Sequence, residues 1–387
     1  MSPSFTKENR ETHAFTFYGK GSSFFIICLV NVILSMITCG IFLPWAFVRS
    51  RRYLYENMEL NGARFNYHAS GGSIFISWLV ISIIIAALCF IELAITHSAE
   101  VVFAPWVCML FYPFMMVKSL SYHAAMTTLN NVRFGFQCSM LRVWWVMMGI
   151  PIVTILLLLG LFNGYVRLIG PPSSIDAVIT LIVCCVVLGL IVIAVVNGIV
   201  YRYWIELFAK NASFGINKFN LNIKTSKCVI ISIISMVILI PFILVISRII
   251  ITSFHRLLSG SLDGYMGMFT LVYLLYIVGI LLASAYVFSA LRNYAFNNLI
   301  LGDDIRFHSS LTFFGIATNL LLLTFGSLIT LGLAYPWLKI RLIRYQANHT
   351  SVSGSLNALD LTNDERPLDT GIFARISRGA APTLPFF

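Results

Sequence analysis

The sequence predicts an all-α integral membrane protein, a multi-pass helical bundle of parallel two-helix repeats with short β-strands in its cytoplasmic loops. Three observations lead there. Of the 387 residues 59% are hydrophobic and only 11% charged, against roughly 25% charged in soluble domains. Several apolar runs reach the ~20 residues that a helix needs to cross a bilayer core. A basic, aromatic stretch recurs along the chain, the mark of a repeat architecture.

The apolar runs, in order, are Phe24–Ile37, Ser73–Ile95, Val101–Val117, Val143–Phe162, Ala177–Val200, Val229–Ile251, Met268–Leu291 and Leu311–Leu331. They are continuous and do not alternate apolar with polar residues, which selects helices over a membrane-spanning β-barrel. A polar opening segment without a small-x-small site predicts no cleavable signal peptide. The chain divides into a cytoplasmic segment 1–22, a membrane domain 23–345 of eight apolar segments, and a cytoplasmic tail 346–387.

Residues 35–53 and 327–345 share Ser, Ile, Thr, Gly, Pro, Trp, two Arg and Tyr at one constant offset, nine identities in 19 positions. Pro113, Lys118 and Tyr122 form a third copy, and Arg202-Tyr203 and Arg292/Tyr294 mark fainter ones. Turn signals follow at Asn61-Gly62, Asn130-Asn131 and Gly302-Asp303. Then come the segments Ala63–His68, Val132–Gln137, Phe214–Asn222 and Ile305–Ser309, with Ala14–Tyr18 as a fifth. Aromatic residues there recur at period two. The pattern reads either as a small β layer on the basic side or as aromatic anchors in irregular loops.

Charge fixes the expected topology. If the first and last apolar segments dip in and return, about six segments cross, both tails are cytoplasmic, and only Arg167, Arg248 and Arg256 lie outside. Thr38-Cys39-Gly40 and Thr330-Leu331-Gly332 are then the breaks. Orientation in the membrane accounts for the net charge of +11, so a nucleic-acid partner is not expected.

No phosphate loop, zinc-protease motif or nucleophile elbow is present, and the seven His residues lack ligand spacing. The eight Cys read as small packing residues. No catalytic residue, cofactor or metal is therefore expected, and no enzyme. Glu92 is expected at the outer interface, within reach of Arg248 or Arg256. The recurrent basic-aromatic residues are the candidate site: Arg49, Arg52, Tyr53, Arg64, Lys118, Tyr122, Arg133, Arg202, Tyr203, Arg292, Tyr294, Arg306, Arg341, Arg344 and Tyr345. They read as topology anchors or, gathered on one face, as a collar that binds anionic lipid headgroups. The functional expectation is a transporter or channel for a small or anionic solute. The alternative is a non-catalytic scaffold that binds anionic lipid or a protein partner through the collar. Membrane lipids and a second copy of the chain are the expected partners.

At P-W-x3-R-x-R-R-Y-L-Y-x-N, with N-G-x-R-F following, the chain resembles the YjgN-like bacterial inner-membrane proteins. The likeness includes the opening H-A-F-T-F-Y-G-K-G, the R-F-G-F-Q-C-S-M stretch and the closing G-I-F-A-R-I-S-R-G-A-A-P-T-L-P-F-F. The resemblance implies a multi-pass protein of the bacterial inner membrane and supplies no catalytic residues.

Overall fold

Each basic-aromatic stretch runs into two short strands joined by a tight turn. In the computed structural model, which describes residues 12–96, 103–169, 175–258, 265–302, 304–354, Thr362, Asp369 and 371–380, these are β2 (Met58–Leu60) with β3 (Ala63–Tyr67), β4 (Thr127–Leu129) with β5 (Val132–Phe136), β6 (Ala212–Phe214) with β7 (Asn217–Leu221), and β8 (Leu299–Leu301) with β9 (Ile305–Ser309). Asn61 and Gly62 have φ of 49° and 78°, and Asn130 and Asn131 of 50° and 63°. Two central residues with positive φ make the type I′ turn, whose twist suits paired strands and which favours Asn and Gly. A fifth hairpin-like pair joins the chain's two ends: β1 (Thr12–Phe17) lies antiparallel to β10 (Thr350–Ser353). The ten strands close into a barrel with no free edge.

The barrel corrects the expected fold class. Five strands fall on the segments that alternate in the sequence, and the other five were not foreseen. Most of these are three residues long, too short for a period-two pattern to register. Nor do the helices form a bundle of parallel two-helix repeats. The unit is a helix pair plus a β-hairpin, and the barrel joins the units.

Between hairpins the chain leaves the barrel and returns as helices. These are α1 (Gly21–Ile37) and α2 (Leu43–Glu56), then α3 (Gly71–Thr96) and α4 (Phe103–Ala125). Next, α5 (Met140–Trp144) passes through a π-turn at Trp145–Gly149 into α6 (Ile150–Ile169) and is followed by α7 (Ile175–Asn211). Then come α8 (Thr225–Leu258) and α9 (Tyr265–Phe296). Last, α10 (Phe313–Leu321) continues through a π-turn into α11 (Ser327–Ile329) and returns as α12 (Tyr335–Asn348). Five helical stretches among the described residues are long and apolar enough to cross a membrane: 71–95, 140–165, 188–211, 225–253 and 267–296. In the most apolar 18 residues of each, only 11–17% are buried within the chain, so their apolar surface is left to a lipid solvent.

The first and last pairs turn back sharply. The Thr38 hydroxyl donates to the Leu34 carbonyl (2.7 Å) and accepts from the Phe42 N–H (3.0 Å). Thr330 repeats both bonds with Gly326 (2.6 Å) and Ala334 (3.0 Å). Cys39 and Gly40 take φ of 48° and 89°, Leu331 and Gly332 of 49° and 88°. Each turn thus satisfies its own backbone, as it must where lipid offers no partner. Its outer residues are apolar and exposed: Met36, Ile37, Ile41, Leu328, Ile329 and Leu331. Asn31 ties the first pair together by donating to the Ala46 carbonyl (3.2 Å) and the Ser50 hydroxyl (3.0 Å).

Neighbouring pairs lock through the Pro-Trp motif. A Cβ at Gly71, where α3 starts, would lie 2.4 Å from the Trp45 ring of α2, and one at Gly21, where α1 starts, 2.3 Å from the Trp337 ring of α12. Each tryptophan therefore lies against the glycine that opens the next pair around the ring.

Two outcomes are expected. Cys39 at the first turn should react with a lipid-soluble maleimide, yet resist a charged thiol reagent applied to either side of sealed vesicles. Charged-reagent labelling would place that turn in water. Gly71→Ala should destabilise the protein by ~1–3 kcal/mol through overpacking against Trp45. The adjacent Gly72→Ala, whose Cβ meets nothing within 4 Å, should leave the melting temperature nearly unchanged.

Candidate functional site

Three of the five recurrent tyrosines are clamps. Tyr53 of α2 accepts the Lys20 N–H (2.8 Å) just before α1, Tyr294 of α9 the Lys224 N–H (2.7 Å) before α8, and Tyr345 of α12 the Thr312 N–H (3.1 Å) before α10. Each closes its own helix pair at the barrel by capping an N–H that the new helix cannot satisfy. The recurrent arginines are clips to the next unit. Arg52 donates to the carbonyls of Tyr67 and Ala69 (both 3.2 Å), and Arg344 donates to that of Gly19 (2.8 Å).

The rest of the collar is dispersed. Arg64 faces Glu59 (3.5 Å) and the Tyr18 ring, and Arg202 pairs with Glu206 (3.0 Å) over Tyr203. Arg64, Arg133 and Arg306 are exposed on the barrel's outer face, and Arg49 is exposed on α2. Arg341 and Arg344 border a smaller pocket of about 460 Å³ between α1, α10 and α12. Lys118 pairs with Asp369 (2.5 Å), and Tyr122 lies under Arg378. Of the fifteen predicted residues only Arg292 faces the interior, where a cavity occupies the centre of the molecule.

That cavity has a volume of about 1430 Å³ and runs from the barrel lumen to the turns of the two short pairs, at Met36, Leu43, Gly332 and Tyr335. Its wall is apolar apart from a few groups, among them Arg51, Arg292 and Lys339. Among the described residues no carboxylate lines it. Arg51 is 7% exposed and lies between the rings of Phe47, Tyr55 and Tyr67 at 5.3–5.6 Å. Tyr67 in turn shares a 2.6 Å hydrogen bond with Nδ1 of the buried His123. Arg292 lies 4.7 Å from the Phe296 ring, and its Nη1 is buried with no hydrogen-bond partner. Burial pushes the Lys339 ammonium below the ordinary lysine range.

Arg51, Arg292 and Ile343 stand two residues before a clamping tyrosine, and Leu120 stands at the same place before the recurrent Tyr122. All four line the cavity. The position faces inward in four units, and in two it carries an arginine. Sequence reasoning passed over Arg51 and Lys339 because it followed what recurs. Their counterparts at the constant offset are Ile343 and Phe47.

Glu92 lies near the end of α3 away from the barrel, as expected, but it is buried there, and its carboxylate accepts the Phe103 N–H (2.6 Å) at the start of α4. The closing motif forms a short helix, α13 (Ile372–Ser377), wedged between α3 and α4. Ser119 donates to the Arg378 carbonyl (3.0 Å), Trp78 Nε1 to that of Gly379 (3.1 Å), and Arg378 to Ser73 (3.2 Å).

Residues 12–370 match the family described as bacterial protein of unknown function (DUF898). The chain belongs to that family. It is 40% identical, over the whole of both chains, to a protein of Salmonella typhimurium named inner membrane protein YjgN. Against the protein of that name from Escherichia coli O157:H7 the identity is 38%, over 97% of each. No solved structure matches. The family supplies no activity, so the chemistry of this DUF898 member rests on its own cavity and cations.

The wedge carries one pH-dependent contact. Hydrogen bonds from Lys118 and from the Gly371 N–H hold the Asp369 carboxyl below its usual range. A carboxyl depressed by folding stabilises above its unfolded pKa, and the effect is lost as pH falls through the folded one. Hydrogen-exchange protection of 371–380 should therefore hold down to the ordinary carboxylate range and fall only at more acid pH. Asp369→Asn should abolish that acid step. A step unchanged in the variant would assign it to another group.

Proposed function

We propose that this protein is a non-enzymatic carrier of the bacterial inner membrane that holds an anionic amphiphile in its central cavity. One observation carries the reading: an apolar chamber of about 1430 Å³ is lined by three cations and, among the described residues, by no carboxylate. The Nη1 of Arg292 is buried there without a hydrogen-bond partner; a buried charge without a counter-charge costs several kcal/mol, and an anionic headgroup would offset that cost. Apolar walls suit an acyl chain, and the chamber exceeds the ~300–1,000 Å³ of an ordinary small-molecule pocket.

The inner membrane is supported by the names of the relatives and by the five apolar helices. With Arg167, Arg248 and Arg256 remote from the barrel along their helices and the other described basic residues gathered towards it, the tendency of basic segments to stay inside supports a cytoplasmic barrel. One chain builds the whole chamber, so a homo-oligomer would repeat chambers rather than complete one. The pocket between α1, α10 and α12, with Arg341, Arg344 and Trp337, favours a second reading as a lipid-binding scaffold.

Native mass spectrometry of the protein in mild detergent, with added phosphatidylglycerol, separates the two. The carrier reading expects bound lipid that weakens by about tenfold or more in Arg292→Ala and in Lys339→Ala, since a hydrogen bond to a charged group contributes ~1.5–3 kcal/mol. Arg344→Ala should keep it. The reverse pattern would favour the scaffold, and no retained lipid in any form would remove both.

A further inference from the structure

The barrel places one phenylalanine from each unit at the same height. Phe65, Phe134, Phe219 and Phe307 are the third residues of β3, β5, β7 and β9, and Phe15 of β1 completes the set. Each stands in register with an apolar residue on the first strand of its neighbour: Phe15 with Leu60, Phe65 with Leu129, Phe134 with Phe214, Phe219 with Leu301 and Phe307 with Val352. Three successive pairs of the belt neighbour one another, with ring centroids 6.3 Å apart for Phe15 and Phe65, 6.1 Å for Phe65 and Phe134 and 5.9 Å for Phe219 and Phe307, and Phe134 lies 4.8 Å from its partner Phe214. All ten residues line the central cavity.

Phe15, Phe65 and the five cross-strand partners are buried in one apolar cluster. Phe134, Phe219 and Phe307 pack against it and remain partly exposed towards the cavity. Ten strands enclose a wider interior than the eight that side chains just fill. The outward residue before the phenylalanine is Arg64, Arg133, Lys218 or Arg306 in the four hairpins, so the alternation sets charge outside and aromatic surface inside. An apolar ring of this kind can gate by dewetting, without a charged barrier.

We infer that the barrel lumen is a conduit between the central cavity and the aqueous space beyond the hairpin turns, and that the five-phenylalanine belt is its gate. The gate does not depend on what the cavity holds. Its test therefore uses no lipid, and failure of the carrier reading would leave it standing.

Two native cysteines report on it. Cys28 lines the cavity, on the helix side of the belt. Cys138 lies outside the cavity, beside β5. In protein keeping only these two, sealed vesicles are treated with a charged, membrane-impermeant methanethiosulfonate. Cys138 labelling identifies the vesicles whose barrel faces the reagent. In unaltered protein Cys28 should react about tenfold more slowly than Cys138, as a dewetted constriction predicts. Phe219→Ala and Phe307→Ala should speed Cys28 by about tenfold and leave Cys138 unchanged. Equal rates at the two cysteines in unaltered protein would overturn the gate, whether or not the variants fold. So would a folded alanine variant, judged by its elution volume, whose Cys28 rate does not rise.

Discussion

Paired strands at a membrane surface leave backbone groups that must find partners, and a short sheet of three- to six-residue strands offers few bonds per strand. Closing the sheet removes both edges at once. Here closure requires the first strand to meet the last: Thr12 pairs with Ser353 and Ala14 with Ser351. Every helix pair springs from one strand of this ring and returns to another. The place of each stave, the convergence of Arg51, Arg292 and Lys339 on one cavity, and the common height of the five phenylalanines all follow from that closure. A loose layer of hairpins would fix none of them.

Much of this was legible in the sequence, for reasons that differ from element to element. The turn breaks at Thr38-Cys39-Gly40 and Thr330-Leu331-Gly332 could be read because the spacing between basic motifs left room for a single dip. Strands such as Ala63–Tyr67 could be read because five residues suffice to show a period of two. Their partners could not. Met58–Leu60 and Leu299–Leu301 are three residues long and follow within one or two residues of a helix end. Without those partners the aromatic segments looked like one side of a layer, and closure was out of reach.

The candidate site shows a sharper divide. Recurrence located Tyr53, Tyr294, Tyr345, Arg52 and Arg344, and these turn out to hold the scaffold together by binding main-chain groups. What repeats in a repeat protein is what every unit needs, namely its joints. A ligand sits in one place, so the residues that would meet it need not recur. Arg51 and Lys339 stand where the two best copies differ, opposite Ile343 and Phe47. Differences between copies, at positions the fold turns inward, are the better guide to chemistry here.

The two short pairs have a mechanical consequence. At 1.5 Å per residue α1 is about 25 Å long and α8 about 50 Å. The short pairs are neighbours, since α1 packs on α12. The helical wall is therefore high on three flanks and low on the remaining two, and lipids along that side meet a hydrophobic surface too short for a whole bilayer. They must thin, tilt or splay to cover it. The mismatch thus falls on one side of the annulus, the side where the cavity reaches the turns of the two short pairs.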